Sequence, residues 1–268
     1  MPAAMEQSLE AKEIEEEPLK PLRLEWADLT VKGSLRPINQ DQVYTPSGPQ
    51  LKNERGFLFL VADGFNPGGE VASHLAVDTI AEEYYADTEE DISASLIHAI
   101  EAANRIIYQK ANEKRTLTGM GTTVVAAVVR GHELYVANVG DSRAYLIHDD
   151  KIEQITLDHN ALAEALREGG LTLTLEQIGR HPDRSLLTRA LGLRSQVEVD
   201  IFQRRLRQGD ITVLCSDGLA NLGEYVRDSE IKEVVKRHPP ASAVKRLVKL
   251  AKDKGGRDDI SVILIRAV

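Results

Sequence analysis

The chain has 268 residues, 42% of them hydrophobic, with a formal net charge of −9 and a single cysteine. That length supports one large domain with a sizeable core, and the mild acidity argues against sequence-independent binding to nucleic acid, which needs a basic face. One cysteine, Cys215, excludes an intrachain disulfide framework, and no run approaches the roughly 18 apolar residues of a membrane span, so a cytoplasmic protein without membrane contact is expected.

Residues 1–20 hold six Glu against two Lys, supply −4 of the net charge, and read as an acidic, mobile tail ahead of a domain from 21 to 268. Leu22 to Val31 alternates loosely around the only tryptophan, Trp26, and predicts a first strand. After a strand ending at Val61, Gly68-Gly69-Glu70 opens an amphipathic helix to about Ala86, with Val71, Leu75, Ala76, Thr79 and Ile80 as its apolar stripe. A second helix is predicted from about Ile92 to Asn112, with Ile97, Ile100, Ala103, Ile106 and Ile107 facing inward. Residues 121–157 read almost wholly as strand, with segments at 122–129, 133–139, 143–148 and 152–156, and Asp149-Asp150 turns the last pair.

The segment from Asp158 to Leu193 breaks this pattern with short helical pieces at 161–168, 175–178 and 186–190. Strands return at 197–202 and 211–215, two helices follow at 228–237 and 241–253, and a last strand begins at Ile260. Strand blocks alternating with helix pairs, without a regular β-α-β rhythm, predict an α+β fold in which helices cover antiparallel sheets.

Four aspartate turns carry the chemistry: Ala62-Asp63-Gly64, Gly140-Asp141-Ser142, Ser216-Asp217-Gly218 and Arg257-Asp258-Asp259, each joined to an apolar run. Any one of them taken alone reads first as an ordinary turn. Together they put a carboxylate at the end of several buried strands, which is costly unless each is paired or bound to metal. In an antiparallel sheet the end of one strand lies beside the start of the next, so the four are expected to meet at one edge and hold a hard cation through oxygen. Arg36 is the candidate for a phosphate, because its guanidinium matches phosphoryl oxygens bidentately.

Gly33, Arg36, Asn39 and Asp41, then Val61-Ala62-Asp63-Gly64, Gly69-Glu70-Val71-Ala72-Ser73, Gly119-Met120-Gly121-Thr122-Thr123, Ala137 to Arg143, Leu187 to Gly192, Cys215 to Leu219 and Gly256 to Asp259 stand in one order. That ordered set resembles the bacterial metal-dependent protein phosphatases of the protein phosphatase 2C type, from about Leu22 to Val268. The resemblance implies an α-β-β-α sandwich of two antiparallel sheets flanked by helix pairs. It implies two Mn2+ or Mg2+ ions held by Asp63, the Gly64 carbonyl, Asp217 and Asp258, with a third, weaker ion at Asp141. Arg36 grips the phosphate in this picture, and Asp41 and Asp63 belong with it to the catalytic set. A hydroxide between the ions is expected to attack phosphoserine or phosphothreonine in a phosphoprotein, opposing a Ser/Thr kinase, in a monomer whose flap covers about 158–193.

The chain also departs from that family. Gln40 stands where the family has glutamate, which predicts a weaker first ion site. Val31 replaces an aspartate, and Asp259 replaces asparagine, adding a charge beside Asp258. The loop Phe65-Asn66-Pro67-Gly68-Gly69 is shorter than usual and lacks the family's histidine, leaving His74 and His159 as weak candidates for a proton donor. Two other readings follow from these changes: a low-activity phosphatase-like binding module, and a hydrolase of small phosphoesters.

Overall fold

The computed structural model describes residues 22–169, 172–174, 177–178, 180–221 and 224–268. The acidic stretch 1–20 lies outside them, as do residues 175 and 176 of the helical piece expected at 175–178, of which 177 and 178 are helical. The described residues form the strands β1 (Leu24–Val31), β2 (Asp41–Tyr44), β3 (Phe57–Phe65), β4 (Gly121–Thr122), β5 (Val124–Arg130), β6 (Glu133–Val139), β7 (Arg143–His148), β8 (Lys151–Gln154), β9 (Asp200–Arg205), β10 (Ile211–Cys215), β11 (Ala220–Asn221), β12 (Glu224–Tyr225) and β13 (Ile260–Ala267). The helices are α1 (Gly69–Ala86), α2 (Ile92–Glu113), α3 (Ala161–Arg167), α4 (Asp228–Arg237) and α5 (Pro240–Asp253).

One sheet runs β1-β13-β10-β7-β8 and the other β2-β3-β5-β6-β9, with β4 added beside β3. Every pairing between named strands is antiparallel. The central strands are apolar on both faces because both faces are covered. In β3, Phe59 and Val61 point between the sheets and meet Leu214, Ile263 and Ile265. Leu58, Leu60 and Ala62 point the other way, into a core with α1 and α2. The outer face of the first sheet buries Tyr145, Val213, Cys215, Val262 and Leu264 under α4 and α5. Each fully buried Leu, Val or Phe contributes about 1.5–3 kcal/mol, so this four-layer arrangement is the expected α-β-β-α sandwich.

Local signals set the helix ends. Asp91 caps α2 by accepting from Ser93 N–H at 2.8 Å, and Pro240 occupies the first position of α5, where its missing N–H costs nothing. The helix faces differ from the simple stripes. In α1 the buried residues are Ala72, Ala76, Val77, Ile80, Ala81 and Tyr84, while Val71 and Leu75 are half-buried. In α2, Ile106 is 40% exposed and Leu96, Ala99, Ile100, Ala103 and Ile107 form the core face.

Three strand and helix expectations are corrected. The strand expected at 122–129 is two pieces, β4 and β5, and the one expected at 197–202 lies at Asp200–Arg205, where it pairs with β6. Leu186 to Ala190 is not a helix. It is irregular backbone that bends at Thr188 and Arg189, with Leu187 bridged to Asn160 and neighbouring Leu191 bridged to Thr122, because those two pairings with remote segments replace the local ones a helix would need.

Candidate metal centre

Strand register brings the aspartates to one end of the sandwich. Asp41 in β2 lies directly opposite Asp63 in β3. β3 does not stop at Asp63 but continues to Phe65, because Gly64 and Phe65 find partners in β4. Asp217 follows β10 and Asp258 precedes β13, and these strands are neighbours with Cys215 opposite Val262. Asp141 follows β6. Its turn is clamped by buried His159, whose N–H donates to the Gly140 carbonyl while its Nδ1 accepts from Gly140 N–H, both at 3.1 Å.

Two glycines allow the loops to close. A Cβ on Gly33 would sit 2.2 Å from the Asp258 carbonyl carbon, and one on Gly218 would sit 1.9 Å from the Asp259 oxygen. Neither position tolerates a side chain, since real Cβ contacts do not approach that closely.

Arg36, Asp63, Asp141, Asp217 and Asp258 all line one cavity of about 380 Å³, with Phe65, Asn66, Thr123, Ser185, Leu186, Leu187 and Leu193 completing its wall. Asp41 and Gly64 lie behind this surface, both buried. Ser216 Oγ donates to Asp41 Oδ2 at 2.8 Å, while Asp41 Oδ1 and Asp217 Oδ1 are buried without a hydrogen-bond partner.

Crowding perturbs the carboxylates. Burial pushes Asp41 up to about 7, helped by the charges of Asp259 and Asp217. It pushes Asp217 up to about 6, with Asp258 adding to the shift. Asp63 and Asp141 are also raised well above the usual carboxylate range, by burial first and by neighbouring aspartates second. Oxygen-only donors, excess negative charge and orphaned oxygens are what a hard divalent cation satisfies, so these residues fit Mg2+ or Mn2+.

The donors share a cavity without forming a closed cage. Among the described residues no group of three His, Cys, Asp or Glu is drawn together around an ion-sized space. Arg36 is the cation lining the cavity, and it holds Asp258 through two bonds, Nε to Oδ1 at 2.6 Å and Nη2 to Oδ2 at 2.7 Å. The expected phosphate-binding arginine and one expected metal ligand therefore neutralise each other here.

Asp259 does more than add charge. Buried at 2% exposure, it accepts from Gly33 N–H through Oδ1 and from Gln40 N–H through Oδ2, both at 2.8 Å. It thereby pins both ends of the loop that carries Arg36. The sequence showed the extra carboxylate but not the two amides it binds, which lie more than 200 positions away. Asp259→Ala leaves both N–H groups unpaired and is expected to cost about 2–4 kcal/mol, with Asp259→Asn intermediate, as read by urea unfolding of the metal-free protein.

Gln40 is explained by the same geometry. Its Nε2 donates to the Asn66 carbonyl at 3.0 Å and faces Glu70 Oε2 at 3.5 Å. A glutamate at 40 would oppose both oxygens, so the amide belongs with this short loop. Val31 pairs with Ile260 and packs into the apolar core under α4 and α5. Neither histidine candidate lines the cavity. His74 is exposed on α1 with Nδ1 at the Glu70 carbonyl, and His159 is fully buried with Nε2 at Asp200.

The sequence profile of protein phosphatase 2C matches residues 52–260. The chain belongs to that family. It is 34% identical over 243 residues to the serine/threonine phosphatase Stp of Listeria innocua, covering 88% of this chain and 93% of that one. It is also 34% identical over 252 residues to PstP of Mycobacterium tuberculosis, covering 92% of this chain and 46% of PstP. The solved catalytic domain of a serine/threonine protein phosphatase PstP in complex with two manganese ions matches with a TM-score of 0.79 at 32% identity, over 92% of this chain and 99% of that one. This protein phosphatase 2C is accordingly an enzyme of the protein serine/threonine phosphatase class.

Proposed function

We propose that the chain hydrolyses phosphoserine and phosphothreonine in proteins at the floor of this cavity. Asp63, Asp217 and Asp258, with the Gly64 carbonyl, would hold two divalent ions, and Asp141 a third that is more weakly bound. Bound ions supply an acidified water and neutralise the charge that grows on the phosphoryl group. The observation that carries the reading is the convergence on one cavity of Arg36 with four aspartates, Asp63 from within β3 and Asp141, Asp217 and Asp258 from three separate turns.

The rest falls to the protein's own side chains. Arg36 offers two donors in a planar fork, the geometry that matches a phosphoryl group, and it is free to do so once Asp258 turns away. Asp41 holds its place opposite Asp63 through Ser216, whose Oγ in turn accepts from Ser261 N–H at 2.9 Å. Cys215 takes no part, since burial holds its thiol up at about 12 and it lies under α4 and α5. No histidine lines the cavity, so proton delivery to the leaving oxygen rests on water rather than on a side chain. The substrate implies a Ser/Thr kinase as the opposing activity. Among the described residues no helix is long and apolar enough to cross a membrane.

The test is hydrolysis of a phosphothreonine peptide titrated with Mn2+ and with Mg2+. Turnover that rises with metal supports the reading, and no turnover at any metal level with ions bound by calorimetry would overturn it. Arg36→Ala is expected to lower kcat/KM by about 100-fold, the value of a lost bidentate charged contact of roughly 3 kcal/mol.

A further inference from the structure

Seven large apolar side chains are exposed among the described residues, two of them line this one cavity, and two more flank its arginine in sequence. Leu186 is 57% exposed and Leu193 41% exposed, and both line the cavity with half-buried Phe65 and Leu187. Leu35 and Ile38, 72% and 46% exposed, stand on either side of Arg36 in the loop pinned by Asp259. Scattered exposed leucines need no explanation, but a contiguous group marks a binding surface.

The leucine wall is held in place. Leu186 accepts from Ala161 N–H at 2.9 Å, Thr188 donates its N–H to the His159 carbonyl at 3.0 Å, and Gly192 N–H donates to Asn104 Oδ1 at 2.8 Å. Asn104 Nδ2 also donates to the Arg194 carbonyl at 3.1 Å, so the backbone on both sides of Leu193 and at Leu186 is tied to α2, α3 and the Asp141 turn. These side chains are kept at the surface by a fixed frame.

We infer that this apolar lip is a specificity surface for the substrate polypeptide, selecting phosphoresidues that have an apolar side chain immediately before or after them. The inference rests on the phosphatase reading and narrows its substrate class. Consecutive Cα atoms are about 3.8 Å apart, so a phosphothreonine whose phosphate reaches Arg36 must lay its immediate neighbours across the cavity rim. There they meet Leu186 and Leu193, with Leu35 and Ile38 beside Arg36 in its loop. An apolar neighbour removes those side chains from water, whereas an acidic neighbour is desolvated against the leucines without a partner. Both effects favour the apolar neighbour, and together they are expected to separate the two by on the order of tenfold or more in kcat/KM.

Two phosphothreonine peptides, identical except for Leu or Asp on each side of the phosphothreonine, would be compared in the wild-type protein and in Leu186→Asp, Leu193→Asp and the control Leu51→Asp. p-Nitrophenyl phosphate, which carries no neighbouring residues, serves as the third substrate. The expected result is a Leu-peptide preference of about tenfold that collapses toward unity in the two lip variants and survives at Leu51, an exposed leucine outside the cavity. The ratio is read within each variant, so any loss common to both peptides cancels. Turnover of p-nitrophenyl phosphate with equal peptide rates in the wild type, or a preference kept in both lip variants, overturns the lip and leaves the phosphatase reading standing. A wild-type dimer by gel filtration that separates in Leu186→Asp assigns the lip to self-association and overturns the inference as well. No metal-dependent turnover of any of the three substrates overturns both.

Discussion

Asp217→Asn is expected to lower metal-dependent hydrolysis of a phosphothreonine peptide by a thousandfold or more, and at the same time to make the metal-free protein more stable. The activity loss follows from the site proposed for Asp217. A divalent ion supplies several kcal/mol of charge stabilisation to phosphoryl transfer, and about 1.4 kcal/mol corresponds to each factor of ten in rate. The stability gain follows from the environment. Asp217 Oδ1 is buried without a partner, and its carboxyl is raised to about 6 by burial and by Asp258. At pH 7.5 the folded metal-free protein must therefore hold a charge it disfavours relative to the unfolded chain. A neutral amide of the same shape removes that penalty, about 1–3 kcal/mol. Opposite signs for activity and stability distinguish a ligand from a merely structural aspartate, and a melting scan in chelator beside the activity assay reads both. A variant that loses activity and stability together would count against the metal role.

The metal-free protein should lose stability as pH rises from about 5 to about 8, and added Mg2+ or Mn2+ should restore it. Asp41 and Asp217 titrate in the folded protein near 7 and 6, above the ordinary value of 3.8. Between those limits the folded state binds more protons than the unfolded state, so stability is full below about pH 4 as far as these groups are concerned, and falls as pH climbs through 6 and 7. The expected loss is about 2–4 kcal/mol across that window. A bound cation removes the repulsion that raises these values, and at a free concentration 100 times its Kd it adds about 2.7 kcal/mol. For a domain of this size each kcal/mol moves Tm by about 2–4 °C, so melting curves at pH 5 and pH 8, with chelator and with metal, separate the cases. A metal-free protein equally stable at both pH values would show that the cluster is neutralised within the chain itself.

Arg36 is the nearest source of such neutralisation. Its two bonds to Asp258 place a cation on a carboxylate that is otherwise available for metal. Burial, Asp41 and the remaining aspartates still leave Asp63 and Asp141 raised, so one arginine does not balance the cluster.

The amino-acid sequence by itself determined the layers and the chemistry. Apolar runs such as Phe57–Val61 and Ile211–Cys215 are too uniformly apolar for one-sided sheets, and they fall in strands covered on both faces. The aspartates following or preceding those runs placed the carboxylates at strand ends, and register then brings them to one cavity. Helix extents at 69–86 and 92–113 were legible from apolar spacing, but their inward faces were less so, because neighbouring helices and the sheet choose which side is covered. Local reading failed where partners are remote. Leu186 to Ala190 has helical composition yet runs as irregular backbone, since Asn160 and Thr122 supply pairings at Leu187 and Leu191. Asp259 read as an extra charge, and only the folded loops show the Gly33 and Gln40 amides that donate to it and make it a brace. His159 read as a weak proton donor, and burial with both ring nitrogens engaged makes it a clamp on the Asp141 turn. Residue type and spacing thus settle what chemistry a chain carries, because side-chain charge and apolarity are local properties. Which groups face one another, and the apolar lip around the cavity, are decided by contacts between segments far apart in the chain, and only the tertiary structure contains those.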